Sequence, residues 1–294
     1  MKKYLYYPGC SLRSSGKPYE ESLLAVFKRL GLKWEEVPEW NCCGATAYMG
    51  IDQMDAFALA ARNLALAEGC GGGKPVHVIA PCAACYLVLF KTQMMARENA
   101  AVRETLDGAL RECGLDWRDT AVVRHPLDVL RNDIGLEAME AACTQPLAGL
   151  KVACYYGCQI VRPYATFDDQ RDPQVMDELL REAGAETIDW PLKVRCCGGS
   201  LTGTIKEAGL RLSYIILKEA RRRGADVIAT ACPLCQFNLE CYQDKMSHFG
   251  DDYRLPVVYF SQLLGRAMGI ADTTLAFQRL LVPLPPCRPA RASA

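Results

Sequence analysis

The cysteines of this chain occur in one order that is repeated, and this repeat limits most strongly what the chain can fold into. Each half contains a single cysteine, then an adjacent pair followed by glycine, then a CxxC pair. The single cysteine and the adjacent pair are separated by 31 residues in the first half and by 37 in the second. Such a repeat predicts a duplication around a common chemical centre. The ten cysteines are Cys10, Cys42, Cys43, Cys82 and Cys85, followed by Cys158, Cys196, Cys197, Cys232 and Cys235.

The segments that separate these cysteines also follow one plan in both halves. Short apolar runs at 3–7 and 151–156 predict strands that end just before the leading cysteines, and runs at 76–80 and 226–230 predict strands that lead into the CxxC pairs. Helical periodicity recurs at 20–30, 54–68, 173–183 and 206–223. This alternation predicts an α/β fold made of two pseudo-symmetric halves, each with a C…CC-G…CxxC motif.

The domain boundaries follow from the duplication. We expect a first cysteine-rich domain at 1–146 and a second at 147–280, with the boundary near Pro146. The amphipathic segment from Arg103 to Ala142 predicts a helical connection. Residues 281–294 are rich in proline and predict an extended or disordered tail.

Charge and cysteine content restrict the class of function. The 34 basic and 34 acidic residues balance to a net charge of +0, so no polybasic field favours nucleic acid as a partner. The N-terminal apolar run stops at Pro8, and no segment approaches the roughly 20 apolar residues of a membrane span, so we expect a cytoplasmic protein without direct membrane insertion. In that compartment sixteen cysteines indicate metal or redox chemistry.

The adjacent cysteine pairs favour a multinuclear centre. Neighbouring Cα atoms lie about 3.8 Å apart, which is shorter than the usual span of a disulfide, so both thiolates are expected to face one cluster. A CxxC pair alone is ambiguous, since zinc ribbons and thioredoxin-like sites also contain it. Five cysteines exceed the four ligands of zinc or of an ordinary cubane cluster. Either one cysteine of each half is not a ligand, or the cluster is unusual.

Two arginines and six further cysteines are also candidates for a role. Arg13 and Arg162 follow the leading cysteines by three and four residues, from where a guanidinium group could bind an anionic substrate; the alternative is a salt-bridged surface arginine. Six cysteines lack a counterpart in the other half and are interpreted as structural. They are Cys70, Cys113, Cys143, Cys154, Cys241 and Cys287.

With Asn41-Cys42-Cys43-Gly44 and Arg195-Cys196-Cys197-Gly198, each followed by CxxC, the chain resembles the B subunit of heterodisulfide reductase from Tyr6 to about Gly269. The resemblance implies two non-cubane [4Fe-4S] clusters, each held by the five cysteines of one motif. It implies a protein that reduces a disulfide of the coenzyme M/coenzyme B type, or an analogous thiol pair, in one-electron steps. The resemblance does not identify the substrate.

The expected partners follow from what the sequence lacks. No C-x2-C-x2-C-x3-C run of ferredoxin-type cubane clusters is present, so a partner must deliver the electrons. The resemblance implies a ferredoxin-like C subunit with cubane clusters, which docks on a flavin-containing A subunit. Two alternatives stay open: an electron-relay subunit of a dehydrogenase or acyl-CoA reductase complex, and a zinc-stabilised scaffold.

Overall fold

Two four-stranded sheets with all strands parallel form the frame of the protein, as the computed structural model shows for residues 2–45 and 47–285. The α/β class and the duplicated halves predicted from the sequence are therefore confirmed. Among the described residues, no helix is both long and apolar enough to cross a bilayer.

In its described residues, 2–45 and 47–146, the first half contains four strands and eight α-helices. In chain order these are β1 (Tyr4–Tyr6), α1 (Gly9–Leu12), α2 (Lys17–Arg29), β2 (Trp34–Glu36), α3 (Ala47–Ile51), α4 (Gln53–Gly69), β3 (His77–Ile79), α5 (Ala83–Glu98), α6 (Ala100–Glu112), β4 (Val122–Arg124), α7 (Pro126–Val129) and α8 (Leu136–Ala142). A π-helical turn, Leu130–Ile134, joins the last two helices.

The second half repeats the plan. Its elements are β5 (Lys151–Tyr155), α9 (Val175–Glu182), β6 (Glu186–Thr187), α10 (Leu201–Thr204), α11 (Lys206–Arg222), β7 (Val227–Thr230), α12 (Pro233–Glu240), β8 (Val257–Tyr259) and α13 (Phe260–Ala267). Three short 3₁₀ turns lie at Gln243–Lys245, Ser247–Phe249 and Phe277–Arg279.

Strand order explains why the cysteines gather. The sheets run β2-β1-β3-β4 and β6-β5-β7-β8, so the strand before the leading cysteine is hydrogen-bonded to the strand before the CxxC pair. These central strands are apolar and buried, as strands covered on both faces must be. Because the carboxyl ends of parallel strands share one edge of a sheet, both cysteine segments of a half begin at the same edge.

The predicted helical connection over 103–142 is wrong in its middle. Helix α6 ends before Gly114, which has a φ of +70°, and the chain then forms β4 on the edge of the first sheet. This strand is three residues long and pairs with β3, where Val122 lies opposite His77. The strand was not predicted because two adjacent valines are too short a signal to interrupt a helical pattern. The strand forms because β3 offers hydrogen-bond partners.

Contacts divide the chain into two compact units that differ from the halves of the duplication. The first unit comprises the residues up to Arg13 together with Lys33–Pro126, and the second comprises Ser14–Leu32 together with the chain from Leu127 onward. Helix α2 belongs to the second unit because it packs against α13. There the rings of Tyr19 and Tyr259 stack with centroids 4.5 Å apart. Such an aromatic pair contributes about 1 kcal/mol beyond the area it buries.

The boundary near Pro146 describes the duplication in the sequence and stays a prediction. The proline-rich tail at 281–294 is likewise a prediction, since 286–294 lies outside the described residues.

Candidate functional site: two chains of thiols

The five cysteines of the first motif meet within the first unit. The Sγ atoms of Cys10 and Cys42 are 3.9 Å apart, and those of Cys43 and Cys85 are 3.2 Å apart. The thiols of Cys42 and Cys43 lie near enough to shift each other's pKa values, and the thiol of Cys82 raises the pKa of Cys85. The five sulfur atoms therefore form one continuous chain of contacts.

The second motif forms the same chain within the second unit. The thiols of Cys158 and Cys196 lie near enough to shift each other's pKa values, and so do those of Cys196 and Cys197. The Sγ atoms of Cys197 and Cys235 are 3.5 Å apart, and Cys232 contacts Cys235. The order of contacts is the same in both units, so the repeat predicted from the sequence is also a repeat of geometry.

Helix N-termini place the CxxC cysteines. Cys82 and Cys232 are the N-cap residues of α5 and α12, and Cys85 and Cys235 lie in the first turns. The amide groups and the dipole at a helix N-terminus favour a negative charge and hence a thiolate. The CxxC pairs thus carry their sulfur atoms at helix N-termini, where the contacts with Cys43 and Cys197 nevertheless raise the pKa values of Cys85 and Cys235 well above their usual range.

A glycine directly before each leading cysteine lets the backbone pass close to the sulfur atoms. Gly9 has a φ of +66°, and a Cβ atom there would lie 2.9 Å from the Sγ of Cys85. Gly157 has a φ of +70°, and a Cβ atom there would lie 3.0 Å from the Sγ of Cys235. The sequence analysis did not identify these two glycines as part of the site. Their identical position directly before Cys10 and Cys158 could have indicated it.

Two buried tyrosines hold the segments that precede the adjacent pairs. The hydroxyl of Tyr7 donates to the carbonyl of Asn41 at 2.7 Å, and that of Tyr155 donates to the carbonyl of Arg195 at 2.6 Å. Burial, followed by the influence of Cys85 and the neighbouring cysteines, raises the pKa of Tyr7 far above its ordinary value, so the phenol stays protonated. Each tyrosine is thus a permanent donor to its cysteine loop.

Replacing Tyr155 with phenylalanine is expected to lower the free energy of unfolding by about 1–2 kcal/mol, because the carbonyl of Arg195 loses its donor in a part-buried position. Urea unfolding of the purified protein measures this change. Tyr48→Phe is the control, since that ring is 48% exposed. Equal destabilisation by both changes would contradict the role given to the hydroxyl of Tyr155.

The thiol contacts split the pKa values within each pair. Hydrogen bonds from Cys42 and Cys85 hold the pKa of Cys43 well below its usual range, whereas the contact with Cys43 raises the pKa of Cys42. In the second unit the hydrogen bond with Cys158 lowers the pKa of Cys196 to about 2, and the contact with Cys196 raises the pKa of Cys197 to about 11. The lower pKa belongs to the second cysteine of the first pair and to the first cysteine of the second pair.

Asn238 supports the second set and was not identified from the sequence. Its Nδ2 lies 3.5 Å from the Sγ of Cys197 and 2.8 Å from the carbonyl of Gly199, to which it donates. Asn238 follows Cys235 by three residues, and the position three residues after Cys85 is Val88. The two sets therefore differ in the polar groups around their sulfur atoms. Such hydrogen bonds to sulfur change the reduction potential of an iron–sulfur centre.

The donor set fits an iron–sulfur cluster better than a single ion. Iron–sulfur clusters are held by cysteine thiolates, and both chains of contacts consist of thiols. In residues 2–45 and 47–285, no group of three or more cysteine, histidine, aspartate or glutamate side chains is arranged around a point where one metal ion could sit. Each set contains five thiols, which is one more than the four ligands that a single tetrahedral metal ion takes.

The two arginines predicted from the sequence have different surroundings. Arg13 forms an ion pair with Glu36, and both side chains are partly exposed. Arg162 donates to the backbone carbonyl of Val194, and its charge helps to lower the pKa of Cys196. Arg162 therefore lies near the exposed thiol of Cys196 in the second cysteine set.

The other cysteines in the described part of the chain lie outside both chains of contacts. Cys154 is fully buried in β5, where burial, followed by the charge of Asp177, raises the pKa of its thiol. Cys70 contacts the carbonyl of Leu66 at the end of α4. Cys113, Cys143 and Cys241 follow the C-termini of α6, α8 and α12. Cys287 lies outside the described residues.

Comparison with known proteins matches both halves. The family model of the CCG "Cysteine-rich domain" matches residues 4–90 and 152–240. These two segments include all ten cysteines of the repeated motif and make up more than half of the chain.

Curated relatives align over nearly the full chain. The "8-methylmenaquinol:fumarate reductase membrane anchor subunit" of Wolinella succinogenes is 29% identical over 96% of this chain and 97% of its own. The B subunit of the ferredoxin:CoB-CoM heterodisulfide reductase of Methanosarcina mazei is 29% identical over 95% of this chain and 93% of its own. The resemblance to the B subunit of heterodisulfide reductase is thereby confirmed.

A solved structure shares the fold. The "Crystal structure of a hypothetical protein from Helicobacter pylori" superposes with a TM-score of 0.75 at 15% sequence identity over 97% of this chain. The chain spans about half of that protein, 52% of its length. At this level of identity the likeness concerns the fold alone.

Proposed function

Because the chain belongs to the CCG cysteine-rich domain family, we propose that it is the disulfide-reducing iron–sulfur subunit of a heterodisulfide reductase-like complex. The observation that carries the proposal is the same five-thiol chain of contacts in both units. Relatives named as B subunits of heterodisulfide reductases support it over nearly the full chain.

The proposed ligands are the five cysteines of each motif, and the proposed centres are two non-cubane [4Fe-4S] clusters. The first set would consist of Cys10, Cys42, Cys43, Cys82 and Cys85, and the second of Cys158, Cys196, Cys197, Cys232 and Cys235. Five thiols in one chain of contacts exceed the four ligands of a cubane, which supports an unusual cluster. When bound, the clusters would supply single electrons to the substrate.

The chain's own residues have three tasks in this proposal. The cysteine sets hold the metal centres at the sheet edges, and Gly9 and Gly157 let the backbone approach the sulfur atoms. Tyr7 and Tyr155 fix the loops that carry the adjacent pairs. The overall reaction consumes one disulfide, two electrons and two protons and releases two thiols.

Electrons must come from a partner, because the chain has no ferredoxin-type cysteine run. The relatives are named as subunits, which supports an assembly of several different chains. We propose a ferredoxin-like C subunit with cubane clusters as the immediate donor, which in turn receives electrons from a flavin-containing A subunit. A small-molecule disulfide is the proposed acceptor.

An electron-relay subunit is the second candidate. It is favoured by the relative named as the membrane anchor subunit of an 8-methylmenaquinol:fumarate reductase, which matches this chain as closely in identity as the heterodisulfide reductase relatives do. In that function the centres would pass electrons to another subunit and no disulfide would bind.

The two candidates differ in what reoxidises the reduced protein. Cluster-loaded protein, purified without oxygen and reduced with a viologen dye, is expected to reduce low-molecular-weight disulfides catalytically and release two thiols for each disulfide. The coenzyme M/coenzyme B heterodisulfide and simple disulfides of mercaptoalkanoates serve as probes. If the centres accept electrons from the dye but no disulfide reoxidises them, the relay function replaces the proposed one.

A further inference from the structure

Lys193 is a buried lysine that precedes Cys196 by three residues. It is 3% exposed, and no other lysine or arginine in the described part of the chain is buried. Its Nζ lies 3.1 Å from the Oδ1 of Asp177 and 3.2 Å from the Oδ1 of Asp172, and it donates to the carbonyl of Pro173 at 3.1 Å. The three ammonium hydrogens thus have three acceptors, as a buried charge requires.

Asp177 connects this lysine to α9 and to Tyr156. The carboxylate is in the first turn of α9 and is 2% exposed, and its Oδ2 accepts from the hydroxyl of Tyr156 at 2.7 Å. The same hydroxyl accepts from the backbone N–H of Met176 at 2.7 Å. Burial alone would lower the pKa of Lys193, but the carboxylates around it raise that pKa above its ordinary value. Burial raises the pKa of Asp177, and Lys193 opposes this rise.

Three successive carbonyls, beginning with that of Lys193, accept hydrogen bonds from the segment that carries Cys158. The carbonyl of Lys193 accepts from the backbone N–H groups of Tyr156 and Gly157 at 2.9 and 3.1 Å. The next two carbonyls accept from the same segment, one from a guanidinium group and one from a phenol. The loop that leads to Cys196 is therefore bound, over three residues, to the loop of the leading cysteine.

The first half cannot form the same network. Counted from the cysteines that follow them, Glu39 and Pro8 occupy the positions of Lys193 and Tyr156. Glu39 has a carboxylate instead of an ammonium group and its side chain is 81% exposed, and proline has neither an N–H group nor a hydroxyl. The two halves share the bond from the hydroxyl of Tyr7 or its counterpart. The buried ion pair is therefore specific to the second cysteine set.

We propose that Lys193 is a positioning residue of the second cysteine set, which through its ion pair with Asp177 holds the loop of the leading cysteine against the loop of the adjacent pair. This inference rests on the proposed function, because it assigns a supporting role to side chains around a proposed centre. Cys196 is exposed and Cys158 half-buried, whereas the other three cysteines of the set are buried. A chelator can reach metal most easily at that exposed end, so the hold of the protein on the centre depends there on how firmly the two loops are joined.

The test is the release of iron from cluster-loaded protein to an iron(II) chelator, measured without oxygen. In Lys193→Met about half of the iron, that of the second set, should be released at least about tenfold faster than in wild type. The other half should be released at the wild-type rate. The reason is that the carboxylate of Asp177 loses its buried partner, so the two loops separate more often. Asp177→Asn should act in the same direction, and it keeps the test valid if Lys193→Met impairs folding.

Two controls locate the effect. Arg131→Met removes the ion pair with Glu178, the residue after Asp177 on α9, and should leave the release of iron at the wild-type rate. The Cys197→Ala variant is expected to keep only the first centre, so adding Lys193→Met to it should not accelerate the release. Acceleration in that background would mean that the substitution loosens the whole chain, and it would overturn the positioning role.

Electron paramagnetic resonance gives a readout that a purely structural role would not change. The signal of the second centre should change in Lys193→Met, and the signal of the first centre should stay as in wild type. Wild-type signals and release rates in both Lys193→Met and Asp177→Asn overturn the inference and leave disulfide reduction in place. If Lys193→Met loosens the second centre selectively while the wild type reduces no disulfide, the positioning role stands and the proposed reaction is wrong.

Discussion

Replacing Cys43 with alanine is expected to abolish disulfide reduction, with a loss of at least about 100-fold in kcat, as for residues that act as one unit. Cys43 is 2% exposed and its Sγ lies 3.2 Å from that of Cys85, in the middle of the first chain of thiols. Removing it separates the cysteines of the CC-G loop from those of α5. Since a disulfide takes two electrons, the centre that remains in the second unit should not suffice for turnover.

Cys197→Ala is expected to have the same effect through the second set. Its Sγ lies 3.5 Å from that of Cys235, at the position that Cys43 holds in the first unit. Cys113→Ala provides a matched control, because Cys113 is exposed and lies outside both chains of contacts. Cys43→Ser preserves the size of the side chain and keeps the test valid if alanine impairs folding.

The assay is viologen-driven disulfide reduction, and the remaining centre is verified by electron paramagnetic resonance in each variant. A near-normal rate in Cys43→Ala or Cys197→Ala, with one centre present, would mean that the two sets do not act together. The electron-relay function would then be the better account.

The core of this site could be predicted from the sequence because its signal is chemical and repeated. Ten cysteines in one order twice identify the sets without knowledge of the fold, and apolar runs place the strands that carry them. The structure adds how the sulfur atoms meet, for example that Cys43 contacts Cys85 in the first turn of α5. Such pairings depend on the geometry of a loop and a helix N-terminus.

Elements with weak local signals were missed. The edge strand β4 contains three residues, and its pairing with β3 arises from the sheet. Helix α2 was expected as part of the first half, yet it packs on α13, where Ser22 and Ser261 are hydrogen-bonded at 2.7 Å. Contacts over such a distance in sequence have no local pattern.

The cavity beside Cys158 and Cys196, which Ile215 and Ile216 of α11 help to line, was missed for a different reason. The two halves are recognised as a repeat by the cysteines that they share, whereas the cavity arises where they differ. When α4 and α11 are aligned, the first half has Arg62 and Asn63 at the positions where the second half has Ile215 and Ile216. The consequence of this difference could be seen only in the structure of the first unit. There Arg62 and Asn63 form hydrogen bonds with Asn41, which the two isoleucines of the second unit cannot form.

The second large effect concerns metal content. Protein purified without oxygen is expected to contain about eight irons and eight acid-labile sulfides per chain, four of each per half. Cys43→Ala should lose about half of both and keep the centre of the second unit, and Cys197→Ala should show the converse. The halves should behave independently because the thiol contacts of each set lie within one compact unit. Cys113→Ala should retain the full complement.

Counting iron, acid-labile sulfide and zinc in wild type, Cys43→Ala and Cys197→Ala tests the central claim most directly. We expect iron and sulfide in equal amounts, about eight in wild type and about four in each variant, with little zinc. Zinc in place of iron would contradict it, and so would the loss of all iron from a single variant that keeps its fold.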